Sequence, residues 1–168
     1  MIRPDRNQKL IKTIEKNPGI KFREIMRNTG MKNGVLSHYL SKLERDGTIQ
    51  VHRGIRQTRF YPLYFTEQES KIVKALRRQT PRDIMVSLIL HGDLEFSQIV
   101  QHVKKSQSTV SLYLSQLVDD KVVQIELSEK KKRYHLKDRQ MVDKLIEDYH
   151  PRLLESATAG FEDIINSL

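Results

Sequence analysis

The stretch Val35-Leu36-Ser37-His38-Tyr39-Leu40-Ser41-Lys42-Leu43-Glu44-Arg45-Asp46-Gly47 decides the fold, because it returns 74 residues later around Thr109-Val110-Ser111-Leu112-Tyr113-Leu114-Ser115-Gln116-Leu117. At that offset, without gaps, Ser37, Tyr39, Leu40, Ser41 and Leu43 fall on Ser111, Tyr113, Leu114, Ser115 and Leu117. Outward from there, Phe22 and Ile25 meet Phe96 and Ile99, while Asp46, Gln50 and Arg59 meet Asp120, Gln124 and Arg133. Apolar character alone is kept at Leu10/Ile84, Ile14/Leu88, Ile20/Leu94, Leu36/Val110, Ile49/Val123, Val51/Ile125 and Phe60/Tyr134. A repeat at a fixed offset, matched mostly at apolar positions, is one fold used twice. Each copy spans about 60 residues, enough for a small core.

Within each copy the periodicities follow one order. Leu10, Ile11 and Ile14 recur at helical spacing until Asn17-Pro18-Gly19. Phe22, Ile25 and Met26 mark a short second helix ended by Asn28-Thr29-Gly30. Asn33 is the expected N-cap of a third helix with Leu36, Tyr39, Leu40 and Leu43 on its inner face and Gly47 as its left-handed stop. The period then drops towards two over Ile49 to His52 and Arg59 to Tyr61, around a loop from Arg53 to Thr58, which predicts a hairpin. The second copy repeats this order, with a hairpin pairing Val123 to Leu127 with Arg133 to Leu136 across residues 128–132. Three helices and a two-stranded wing make a winged helix-turn-helix. The expected fold is therefore mainly α with small β wings: two tandem winged helix-turn-helix units plus C-terminal helices. The expected divisions are 1–65, a connector helix at 66–79 opened by the capping box Thr66-Glu67-Gln68-Glu69, a second domain at 80–137, and a helical tail at 138–168.

The segment from Val35 to Gly47 resembles the recognition-helix signature of ArsR- and MarR-type regulators, and Thr109 to Leu117 resembles it a second time. The layout, with Arg59-Phe60-Tyr61-Pro62 near the first wing, also looks like that of archaeal regulators carrying two such domains. The resemblance covers roughly residues 5 to 137 and implies a transcription regulator that binds double-stranded DNA.

In such a fold the third helix lies in the major groove. With Leu36, Leu40 and Leu43 turned inward, its outer face is Asn33, Gly34, Ser37, His38, Ser41, Lys42 and Arg45, preceded by Lys32. Gly34 and the serines let the backbone approach a phosphate, and first-turn amides supply donors. Asn33 and His38 have edges that can bond bases, whereas Lys42 and Arg45 suit phosphates. Wing residues Arg53, Arg56 and Arg59 are expected to add sequence-independent affinity. The second copy keeps Lys104, Lys105, Gln107, Ser108, Thr109, Ser111 and Ser115, and a basic wing of Lys130, Lys131, Lys132 and Arg133. It places Leu112 where the first copy has His38, so that position bonds no base: it either meets a thymine methyl or is covered by a partner.

Charge follows the same division. The net +9 arises from +9 over residues 1–65, +4 over 66–137 and −4 over 138–168. A basic body suits a polyanion, and the acidic tail suits something else. The tail's apolar positions, Val142, Leu145, Ile146, Tyr149, Leu153, Phe161, Ile164, Ile165 and Leu168, are expected to form a homodimer interface, the alternative being packing within the chain.

Several classes are excluded. The chain has no cysteine, so it holds neither disulfides nor thiolate metal sites. Its six histidines show no tight ligand spacing, so neither a metal site nor another cofactor is expected. There is no Gly-rich phosphate loop and no catalytic constellation; an enzyme is not expected. No apolar run approaches the ~18 residues of a membrane helix, and the first residues lack a signal-peptide core, so the expected address is cytoplasmic, on the nucleoid. Two rivals to a sequence-specific regulator stay open: an architectural DNA-binding protein and a winged-helix protein adaptor. The operator, the direction of regulation and any small-molecule effector are not legible.

Overall fold

The computed structural model describes residues 5–153. It divides between Thr66 and Glu67 into two compact units.

The first unit runs α1 (Arg6–Lys16), β1 (Ile20–Lys21), α2 (Phe22–Thr29), α3 (Asn33–Arg45), β2 (Ile49–Arg53) and β3 (Thr58–Pro62). The apolar stripe of each helix decides its face. Leu10 and Ile14 from α1, Ile25 from α2 and Leu36, Leu40 and Leu43 from α3 close on Ile20, Ile49 and Phe60 as one core. Truncating one of these leucines to alanine costs about 2–5 kcal/mol, so α3 is held firmly on the unit. Its start lies one residue from the expected cap: Lys32 is the N-cap, without a side-chain bond, and Asn33 is the first helical residue. Its end is as expected. Gly47 adopts φ 66°, its N–H donates to Glu44 O at 3.0 Å, and Thr48 N–H donates to Leu43 O at 2.9 Å.

The second unit opens with α4 (Glu67–Leu76), which packs on α5 (Gln79–His91) and on α8 (Arg139–Leu153). Between α5 and α8 come β4 (Leu94–Glu95), α6 (Phe96–Val103), α7 (Gln107–Asp119), β5 (Val123–Ser128) and β6 (Lys131–Leu136). From β1 to α3 the bounds reappear shifted by the repeat offset. The registers repeat as well: Ile20 pairs with Phe60 as Leu94 pairs with Tyr134, and Val51 pairs with Phe60 as Ile125 pairs with Tyr134. Each unit thus has a three-stranded antiparallel sheet, ordered β1-β3-β2 and β4-β6-β5.

Three differences from the sequence expectation have physical causes. The two-residue strands β1 and β4 have no period of their own, and only pairing with the hairpin creates them. The second hairpin turns in two residues instead of five: Glu129 and Lys130 take φ 46° and 68° between the paired Ser128 and Lys131, the positive-φ pair that a type I′ turn requires. Lastly, Lys104 and Lys121 hold left-handed φ of 55° and 58° where the first copy has Gly30 and Gly47.

Val142 and Leu145 of α8 are buried, at 1% and 3% exposure, so two of the expected interface residues belong to this unit's own packing. Ile146 and Tyr149 are half-buried. Leu153 is the last residue of α8, and Phe161, Ile164, Ile165 and Leu168 lie outside the described residues. Among the described residues no helix is long and apolar enough to cross a membrane.

Candidate nucleic-acid interface

Helix α3 presents one face with two chemistries. Lys32, Asn33, Gly34, Ser37, His38, Ser41, Lys42 and Arg45 are all exposed, as the inward turn of the three leucines requires. The N-terminal half is small and neutral. Asn33 Oδ1 accepts a long hydrogen bond from Ser37 Oγ at 3.4 Å, and a Cβ added to Gly34 would meet nothing within 4 Å. His38 stands edge-on to Tyr39, ring centres 5.5 Å apart. The C-terminal half carries the cations Lys42 and Arg45.

The first wing is tied to that helix. Arg53 donates both guanidinium arms to Glu44, at 2.6 and 2.7 Å. Those hydrogen bonds hold the Glu44 carboxyl below its ordinary value, against a small opposing effect of burial. Both side chains remain partly exposed, so solvent screens the pair and its stabilisation is small; its consequence is that Glu44 occupies the guanidinium fork that phosphate would use. Arg56 is exposed at the wing tip.

Arg59 corrects the sequence expectation. It is 5% exposed, donating to Gly19 O at 2.8 Å and to Gln57 Oε1 at 3.0 Å. The reason is its place in the sheet: Arg59 pairs with Lys21 of β1, which brings it beside the α1–β1 turn. It braces the wing and offers nothing to a phosphate. Conversely, the sequence reading passed over Ile55, which is fully exposed, at 104% of its reference area, between Gly54 and Arg56. An apolar side chain among loop arginines was the available signal.

In the second unit Gln107, Ser108, Ser111 and Ser115 are exposed on α7 and Thr109 is half-buried. Here the cap is made by a side chain: Ser106 Oγ accepts from Thr109 N–H at 3.3 Å. Leu112 is 56% exposed within this unit. Lys104, Lys105 and the wing residues Lys130, Lys131, Lys132 and Arg133 are exposed, with Lys131 bonded to Glu95 at 3.2 Å.

Comparison with known families agrees with the two-unit arrangement. A family model described as an N-terminal HTH domain matches residues 4–73. A second, described as bacterial regulatory protein, arsR family, matches residues 78–124. The chain carries two tandem helix-turn-helix domains. Both matches include the third helix of the motif, α3 in the first domain and α7 in the second, and such domains support a DNA-binding transcription regulator. No curated protein sequence matches the chain. Solved structures similar to it include the transcriptional repressor PagR of Bacillus anthracis, with 23% identity and a TM-score of 0.43 over 47% of this chain and 90% of that one. HlyU from Vibrio cholerae shows 18% identity and a TM-score of 0.43, over 51% and 91%. A MarR family transcriptional regulator from Silicibacter pomeroyi shows 19% identity and a TM-score of 0.39, over 82% and 94%.

Proposed function

We propose that this protein is a sequence-specific regulator that reads double-stranded DNA mainly through its first helix-turn-helix domain. The observation that carries this reading is the exposed face of α3. Its small, neutral N-terminal half allows close approach to the groove floor, its cationic half suits flanking phosphates, and the underlying leucines fix the helix rigidly. Asn33 and His38 are the base readers. Lys32, Lys42, Arg45 and Arg56 supply the counterion-release affinity, and Ile55 at the wing tip enters the minor groove beside Arg56. The second domain, with neutral Ser108, Ser111 and Leu112 on α7 and a lysine-rich wing, adds phosphate contacts and less sequence information.

Selection from random duplexes tests this reading. A single enriched motif, blurred at particular positions by Asn33→Ala or His38→Ala, is expected; binding without any enriched motif would favour the architectural alternative.

The assembly proposed is a homodimer, which would present paired reading helices to a two-fold site. With Val142 and Leu145 committed to the domain, the dimer contact falls to the more C-terminal apolar positions from Leu153 to Leu168. Light scattering on the full chain and on a chain ending at residue 153 tests it: a dimer that becomes a monomer supports this assembly, and two equal masses refute it.

A further inference from the structure

We propose that the second domain holds a binding site for a divalent first-row transition metal, formed by Asp93, Glu126 and His135. One ring nitrogen of His135 and one carboxylate oxygen from each of Asp93 and Glu126 lie within 4.8 Å of one another. On the same ring, His135 Nδ1 is shut off from solvent and has no hydrogen-bond partner among the described residues. A buried polar nitrogen with nothing to bond is costly, and where native proteins keep one, an ion or water commonly satisfies it.

The sheet explains why these three meet. His135 on β6 pairs with Gln124 of β5, and the next pair on that face is Glu126 with Arg133; Glu126 therefore stands diagonally across from His135, within reach of a side chain. On the other edge of β6, Leu94 pairs with Tyr134, so Asp93 reaches the level of His135. Two paired strands and the turn residue just before a third each contribute one ligand. No local spacing in the sequence announces this, which is why the histidines looked scattered.

The ligand chemistry selects the ion. Two carboxylates and an imidazole, with no thiolate in the chain, suit zinc, manganese, iron or cobalt in the divalent state, with water completing the shell. Ligand atoms around a tetrahedral ion with bonds of about 2.1 Å stand about 3.4 Å apart. The cluster needs to contract by at most about 1.4 Å, and the two exposed carboxylates can rotate to supply this. The bound ion would cross-link the turn after α5 to both strands of the second wing.

The test is titration of the full-length protein with Co(II), read by its visible ligand-field absorption, and with Zn(II), read by calorimetry and by thermal melting. Expected results are one equivalent bound, an absorption band from a nitrogen- and oxygen-ligated cobalt, and a rise in melting temperature with zinc. Each of Asp93→Asn, Glu126→Gln and His135→Gln should weaken binding by about tenfold or more, and the first two replace exposed side chains, so their folding is a fair control. His91, which stacks on His102 with ring centres 4.1 Å apart, is the comparison: His91→Gln should leave the affinity unchanged. Absence of binding by the wild type, or binding that survives the carboxamide variants, would overturn the site. So would loss of binding in His91→Gln alone.

Discussion

Replacing Gly34 by alanine separates folding from recognition, because the two effects have opposite signs. Gly34 is the second residue of α3, its φ is not in the left-handed region, and an added Cβ finds open space. In the free protein the substitution only narrows the unfolded ensemble, which is worth about 0.4–1 kcal/mol. For a domain of this size that raises the melting temperature by a few degrees. If α3 reads DNA as proposed, its first-turn backbone amides donate to a phosphate, and a methyl group would hold that backbone away. Losing one charge-assisted hydrogen bond costs about 1.5–3 kcal/mol, a drop in affinity of roughly 10- to 150-fold. Thermal melting of Gly34→Ala and an anisotropy titration on one duplex at one salt concentration give both numbers. A more stable protein that binds as tightly as the parent would refute the close approach, and with it the placing of α3 in the groove.

Arg56→Ala should leave melting unchanged and lower the salt slope of DNA binding by about one unit, whereas Arg59→Ala should leave the slope alone and destabilise the first unit by about 1–3 kcal/mol through the orphaned Gly19 carbonyl. At the shared helix-stop position the signs should invert: Gly47→Ala costs about 1 kcal/mol, while Lys121→Gly gains up to about that much by relieving a left-handed lysine. Both are read by chemical denaturation. Burial first, and then the neighbouring His91, hold the His102 imidazole below its ordinary value near 6.5. The unfolded chain therefore binds the proton more readily; the associated stability is present above about pH 6.5 and fades as pH falls through the folded value. The effect is small because the ring is largely exposed, and His102→Gln should abolish it in a pH series of melting temperatures.

The parts of the fold that were legible are those whose signal is local. Leu36, Leu40 and Leu43 repeat at helical spacing, Gly47 marks a stop, and the copy at residues 107–119 repeats the apolar spacing though not the glycine, so α3, α7 and their exposed faces follow from sequence. What long-range pairing decides was not legible. Arg59 reads as one more wing arginine until β1 pairs with β3 and brings it to Gly19. Lys104 reads as a DNA-facing cation, although helix geometry forces it, and Lys121 with it, into the conformation that glycine takes in the first copy. Asp93, Glu126 and His135 are distant in sequence, and only the register of three strands brings them together. Val142 and Leu145 did show their apolar stripe, but a stripe states that a face is covered, not by what; here α8 packs on α4.

The most direct measurement of the central claim is an amide chemical-shift map of the full chain with and without a duplex carrying its selected motif. The largest changes are expected at Asn33 to Lys42 and at Gly54 to Gln57, with smaller ones at Ser106 to Ser111 and the second wing. A map in which the amides of α3 stay fixed while the duplex is bound would contradict that claim.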